Sequence, residues 1–353
     1  MKDGGQLMKN KKIIVIISII VAIVIIGSII FYNIGVSAVS SKSEEVIVEI
    51  KNGSGSSQIL DKLDDAGLVN NKLCGKLFLK FNSYDHLQAN TYILNKNMSL
   101  SEIFHIINDP DIKYILKSRL TIKDGNTIPQ VAESFAKILN VSKDDVIKQW
   151  AQKDYLEKLV KEYWFIDKSI LNKELMYPLE GYLYPETYYI TDKEPSLESM
   201  TKVALDMMDK KLKPYKENIE KLGMTPHEFL SFVSVVERES LFDKDKPIIA
   251  GVFMNRLNKG MALQSDITVN YALQRTGVKV STKQTQTDSP YNTYKYPGLP
   301  VGPISTVTEK TMKACLEYTH HDYYYFFAKK DGTVIYNETY QGHDKAVREN
   351  KWY

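Results

Sequence analysis

The chain has 353 residues, 43% hydrophobic and 25% charged, ordinary globular values that predict a buried core rather than a disordered polymer. Its 46 basic and 43 acidic residues leave a net charge of only +3, which excludes a nucleic-acid binder built on a dominant basic face. Cys74 and Cys315 fit no metal or redox spacing and make no disulfide framework, so two buried, unpaired thiols are expected.

From the N-terminus, Ile13 to Tyr32 is almost wholly apolar and uncharged, long enough to cross a bilayer core as a helix; the span is read as residues 13–34. Lys2, Lys9, Lys11 and Lys12 precede it, whereas only Lys42 follows closely, beside Glu44 and Glu45. That bias predicts a cytoplasmic tail over 1–12 and places everything after about residue 35 outside. A cleaved signal peptide, cut near Val36-Ser37-Ala38, is the rival reading; the apolar core exceeds the usual ~7–15 residues and favours a retained anchor. The expected protein is single-pass, in the cell membrane, with its working part extracytoplasmic. No dependable ATP supply exists there, which demotes kinase and ligase chemistry. Cell-wall polymers, lipids and secreted proteins become the substrates to consider.

A serine-rich stretch makes residues 35–44 a linker. Two similar segments follow. Val48 to Gly53 leads into Ser57 to Leu63, and Leu120 to Gly125 leads into Pro129 to Phe135; each reads as strand, glycine turn and helix. Between them, Thr91-Tyr92-Ile93-Leu94 reads as a strand and Leu100 to Ile107 as a helix. The unit over 45–115 resembles a LysM-like α+β module, a fold that holds N-acetylated glycans; a structural spacer is the alternative. The larger unit, 116–353, is predicted to be α+β and mostly helical, closing with strands Tyr323 to Ala328 and Thr333 to Tyr336 joined at Asp331-Gly332. The fold class is therefore α+β: one N-terminal transmembrane helix, a small module and a larger, mostly helical domain.

Thr225-Pro226-His227-Glu228 is a strong helix start: threonine at the cap, proline at the first helical position, glutamate three residues after the cap. Phe229 to Val236 is too apolar for a surface helix, so this helix is expected to be buried. It ends on Glu237-Arg238-Glu239-Ser240. A helix C-terminus disfavours an ionised carboxylate, and burial does the same, so a carboxyl here is suited to remain protonated near neutral pH and act as a general acid. Helical periodicity turns Arg238 away from the apolar face and sets Glu237 and Glu239 on its two flanks, leaving both open.

The stretch Val235 to Ser240 is similar to the glutamate–serine signature of lysozyme-like lytic transglycosylases. More closely it resembles the corresponding helix of the YceG-like endolytic murein transglycosylases (MltG type). Leu179 to Tyr188 resembles that family's Glu-Gly-x-x-x-Pro-x-Thr-Tyr motif; Phe253 to Leu257, Leu263 to Val269, Tyr291 to Tyr294, and Gly298-Leu299-Pro300 with Gly302-Pro303-Ile304 follow in order. Two departures stand out: no histidine lies near Val334 to Tyr336, and Ser305-Thr306-Val307-Thr308 replaces the proline and glycine usual after the Pro-Ile pair.

The resemblance implies cleavage of the bond between N-acetylmuramic acid (MurNAc) and N-acetylglucosamine (GlcNAc) in nascent glycan strands, leaving 1,6-anhydro ends. Glu239 would be acid and then base, with Glu237 the second candidate. Gln264, Asp266, Asn292, Tyr294 and Ser240 would position the glycan, although Asp266 also suits a helix start and Asn292 a turn. Asn255 and Arg256 are expected to brace the domain, and Glu180 to be structural. No cofactor or metal is expected: the histidines are scattered, and His227-Glu228 lacks a second histidine four residues on. The expected partners are peptidoglycan strands, the membrane through one helix, and cell-wall synthases. A non-catalytic glycan-binding scaffold of the elongation machinery is the competing reading; it leaves the acidic helix end unexplained. A plain lysozyme is separable by its reducing product ends.

Overall fold

A computed structural model describes residues 3–277 and 280–350, with side chains from residue 14 onward; Lys2 and the side chains of Lys9, Lys11 and Lys12 lie outside the described residues. Helix α1 (Asp3–Val36) contains a 23-residue apolar stretch, Ile14–Val36, of mean hydropathy 3.3, exposed from Ile14 to Phe31 and long enough to span a bilayer core. Backbone contacts divide the chain into two units: Met1–Arg119 with Tyr189–Lys193, and Leu120–Tyr188 with Glu194–Tyr353.

In the first unit, β1 (Glu45–Ile50) leads through α2 (Ser56–Asp65) and α3 (Lys72–Phe81) to β2 (Asn90–Asn95), and α4 (Leu100–Asn108) follows. The two strands pair antiparallel, Val48 opposite Tyr92. Their alternation turns Val48, Ile50, Tyr92 and Leu94 onto Ile59, Leu60, Leu63, Ile103 and Phe104, a core cluster sealed from solvent. Helix α4 starts on a reciprocal Ser99–Glu102 capping box. Helix α3 starts on Asn71, whose side chain accepts from the Leu73 and Cys74 amides. Tyr189–Lys193 returns to this unit, the Lys117 amide donating to the Ile190 carbonyl at 2.8 Å.

The second unit is mixed but mostly helical. Strands β3 (Ser118–Thr121) and β4 (Thr187–Ile190) form a two-stranded sheet in which the chain changes unit; between them lie α5 (Ile128–Leu139), α6 (Lys143–Trp150) and α7 (Lys153–Glu162). Helices α8 (Leu197–Leu212), α9 (Lys216–Lys221), α10 (Pro226–Glu239), α11 (Lys246–Asn258), α12 (Asp266–Ala272) and α13 (Glu309–Leu316) follow. The antiparallel pair β5 (Tyr325–Ala328) and β6 (Val334–Asn337), then α14 (Tyr340–Asn350), close it. Trp150 stacks edge-on against Phe135 and donates to Thr201 Oγ1 at 2.9 Å, tying α5, α6 and α8 together.

Helix α10 is the central element. Phe229, Leu230, Phe232, Val233, Val235 and Val236 are all sealed from solvent. Its start has the expected reciprocal cap between Thr225 and Glu228, with Pro226 at the first position. His227 is buried too: Nε2 donates to the Val301 carbonyl at 2.9 Å, which leaves Nδ1 to accept from the Tyr182 hydroxyl at 2.8 Å. That pair joins the Glu180–Tyr188 motif to the Gly302-Pro303-Ile304 turn. Gly181 sits at φ +80° with Pro303 against it, where an added Cβ would come within 2.4 Å, so only glycine fits.

Candidate active site

Two acidic side chains leave α10 on different flanks and meet different surroundings. Glu237 is almost fully buried and ion-paired with Lys246 Nζ at 3.0 Å, each side chain 7% exposed. Its other oxygen accepts from the Thr308 amide (3.0 Å), Thr308 Oγ1 (2.8 Å) and Thr311 Oγ1 (2.5 Å). This carboxylate is fully engaged, and it anchors α10 to α11 and α13. The run Ser305 to Thr308, a departure from the family pattern, thus has structural work: Ser305, Thr306 and Val307 are buried, and Thr308 caps α13 while holding Glu237.

Glu239, the last residue of α10, turns to the loop before α12. Ser265 Oγ donates to its Oε1 at 2.5 Å. Burial of the carboxyl raises its pKa to about 7; the Ser265 hydrogen bond opposes the rise, the nearby Asp266 charge adds to it, and Arg256 and Arg238 pull it back. No salt bridge neutralises it among the described residues. Burial thus brings the Glu239 pKa near neutral pH, a condition that a general acid–base group requires.

The supporting loop is tightly built. Gln264 has φ +49°, a left-handed conformation rare outside glycine, and its amide donates to the Thr293 carbonyl at 3.0 Å. The Ser265 amide donates to Thr293 Oγ1, which also bonds Thr268 Oγ1 at 2.8 Å. This lattice holds Ser265 in the main chain while its hydroxyl reaches Glu239. Arg256, largely buried, donates to the carbonyls of Tyr324 (2.6 Å) and Leu263 (2.8 Å), and Asn255 to those of His321 and Tyr323. Both residues brace the scaffold that carries the loop.

Of the residues expected to position glycan, Gln264 is exposed, and Asp266 accepts from the Tyr294 hydroxyl at 2.5 Å beside Glu239. Ser240 follows Glu239, and its buried hydroxyl has no hydrogen-bond partner among the described residues. Asn292 is different. It is fully buried, and its amide donates to the Thr285 and Thr287 carbonyls while its oxygen accepts from the Tyr294 amide. Its side chain holds the turn that presents Tyr294. Glu180 is buried, accepts from the Ile128 amide with both oxygens and from the Tyr271 hydroxyl, and is raised to about 8 by burial. It caps the start of α5.

Sequence reasoning passed over Ser265. Nothing in the Gln264-Ser265-Asp266 run marks the middle residue, because its partner lies 26 positions away. Ser265→Ala is expected to cut turnover roughly tenfold, since one charge-oriented hydrogen bond is worth about 1.5 kcal/mol. Because that bond lowers the Glu239 pKa, its loss must move the alkaline limb of the pH–rate profile upward. A limb that stays put would remove Ser265 from the site.

A polar cavity of about 450 Å³ opens on the other flank of α10, lined by Asp124, Glu186, Asp243, Lys246, Thr308 and Lys310 among others. It is lined by partners of Glu237, Lys246 and Thr308, and not by Glu239. Among the described residues, no group of three or more His, Cys, Asp or Glu side chains is arranged to hold a metal ion.

The fold and site together define a class: a protein with one membrane-spanning helix and a mixed, mostly helical domain built around a buried carboxylic acid. The YceG-like family model matches residues 48–349, and the chain belongs to that family. It is 34% identical over 302 residues to an endolytic murein transglycosylase of Bacillus subtilis, covering 85% of this chain and 83% of that protein. It is 32% identical over 328 residues to an endolytic murein transglycosylase of Streptococcus pneumoniae strain D39, spanning 88% of this chain but only 59% of that longer relative. The crystal structure of a YceG-like protein from Listeria monocytogenes is similar at 35% identity and a TM-score of 0.63, over 86% of this chain and all of that one.

Proposed function

We propose that this protein is an endolytic peptidoglycan lytic transglycosylase in which Glu239 serves as acid and then as base. The carrying observation is the Glu239 carboxyl at the end of α10, raised to about 7 by burial and held by a neutral donor. In the first half-reaction protonated Glu239 gives its proton to the GlcNAc oxygen as the MurNAc C1–O bond breaks. The 2-acetamido group shields the oxocarbenium-like charge. The Glu239 carboxylate then takes the proton from the MurNAc C6 hydroxyl as O6 bonds to C1. A 1,6-anhydro end forms, the acid is restored, and no water is consumed. One carboxyl suffices because the sugar brings its own nucleophile, unlike the two-carboxylate scheme of most glycosidases.

Gln264, Asp266, Asn292, Tyr294 and Ser240 are the glycan-positioning groups of this reading, which the Tyr294 hydroxyl on Asp266, close enough for its charge to act on Glu239, supports. Glu237 takes the structural part, its charge already matched by Lys246. The βααβ order of the first unit, with its strands antiparallel, supports the LysM-like reading of 45–115 as a glycan-holding module ahead of a catalytic domain over 116–353. The lysine bias around the span supports a cytoplasmic N-terminus and an extracytoplasmic catalytic domain. There it would meet nascent strands and work beside cell-wall synthases.

Mass spectrometry of peptidoglycan digested by the full-length protein tests the reaction. Fragments ending in 1,6-anhydro-MurNAc are expected from within strands. Reducing ends would make it a hydrolase, and undigested strands would return the glycan-binding scaffold.

A further inference from the structure

We propose that α3 is an interfacial membrane helix: its exposed stripe Leu73, Leu77 and Phe81 enters the headgroup–acyl boundary of the leaflet in which α1 ends, while Lys76 and Lys80 reach lipid phosphates beside it. The three apolar residues recur every fourth position, so they share one face. They are 69%, 44% and 79% exposed, whereas Cys74, Gly75 and Phe78 on the adjoining face are buried. Three large apolar side chains in a row facing outward form a patch that water does not favour.

The depth of α3 is set by α1. Gly35 touches Cys74 so closely that an added Cβ would come within 2.4 Å of its sulfur. The Asn71 amide donates to the Gly35 carbonyl at 3.2 Å, and Asn70 Nδ2 to the carbonyls of Ile34 (3.3 Å) and Ala38 (2.9 Å). Tyr32 and Val36 of α1 pack against the core of the same unit. The anchor is thus continuous with the folded unit. A 23-residue helix rises about 34 Å against a hydrocarbon core of ~30 Å, so its last turn lies at the boundary, and α3 is fastened to that turn.

Charge completes the fit. Lys72 is committed to Asp61 and Asp64 at 3.0 and 3.1 Å. Lys76 and Lys80, both exposed and without an ion-pair partner among the described residues, adjoin the apolar stripe, the arrangement in which lysine stems lie along acyl chains and their heads meet phosphate. A second copy of the chain is the poorer occupant, because a symmetric contact would bring these lysines together.

The test uses the full chain in vesicles of phosphatidylethanolamine and phosphatidylglycerol, with Phe81→Trp and, as a second probe, Leu77→Trp. Each is compared with the parent, which carries three tryptophans. The emission added by either tryptophan is expected to be blue-shifted, and to lose more than half its intensity when the acyl chains are brominated near the headgroup. Added emission that bromine does not quench overturns the proposal: at a water-like wavelength the stripe is solvated, and at a blue-shifted one protein covers it.

Discussion

Glu239→Gln is expected to slow glycan cleavage about a thousandfold, the middle of the range that a positioned acid–base group supplies. Glutamine keeps the shape of the side chain and accepts the Ser265 hydroxyl, so the loop before α12 stays in place while the transferable proton is gone. The wild-type rate has a matching pH signature. Proton donation needs the acid form, and the carboxyl titrates at about 7, so the rate holds below that pH and falls about tenfold per unit above it. Stability follows the same sign. Folding raises this pKa from its ordinary 4.5, so the stability linked to the protonated form is fully present below about 4.5 and is lost as pH rises through about 7. The glutamine variant escapes that loss and should be the more stable protein above pH 7, by roughly 1–3 kcal/mol after allowance for partial exposure. Glycan release and thermal melts across pH measure both effects. A variant that cleaves at the wild-type rate would move the chemistry to another group.

Lys246→Met should produce the largest loss of stability, about 3–5 kcal/mol, because it strands the buried Glu237 charge. The three threonine donors remain, and none carries a positive charge. Glu237→Gln should cost less, since the amide oxygen still accepts from Thr308 and Thr311 and Lys246 keeps Asp243 at 2.9 Å. Denaturant unfolding followed through the second unit ranks the two variants. Where Lys246→Met remains folded, its alkaline pH limb should match the wild type, because the limb belongs to Glu239. A displaced limb would mean that the Glu237–Lys246 pair takes part in the chemistry.

Local signals in the chain were legible where neighbours in sequence are neighbours in space. The cap of α10 formed as its Thr-Pro-x-Glu start predicts, because a capping box closes within four residues. The hairpin joining β5 and β6 turns at Gly332, φ +83°, as Asp331-Gly332 leads one to expect. The helix Leu100–Asn108 and the strand Asn90–Asn95 extend the predicted segments by one or two residues. Helix α3 (Lys72–Phe81) is not marked in the sequence, because its apolar residues fall on the exposed face as well as the buried one. The return of Tyr189–Lys193 to the first unit has no local signal at all.

From the residues alone came a membrane-spanning helix, a mostly helical α+β body, a family membership carried by five ordered motifs, and an acidic end to an apolar helix. Periodicity placed Glu237 and Glu239 at similar angles and left the pair symmetrical. Tertiary structure broke that symmetry through contacts 9 to 74 positions apart: one carboxyl meets Lys246, Thr308 and Thr311, the other a lone serine hydroxyl. Both leave the same helix into the protein, and what differs is the partner waiting there. Burial without a cation at hydrogen-bond distance is what raises the Glu239 carboxyl, against the opposing pull of the Ser265 hydroxyl.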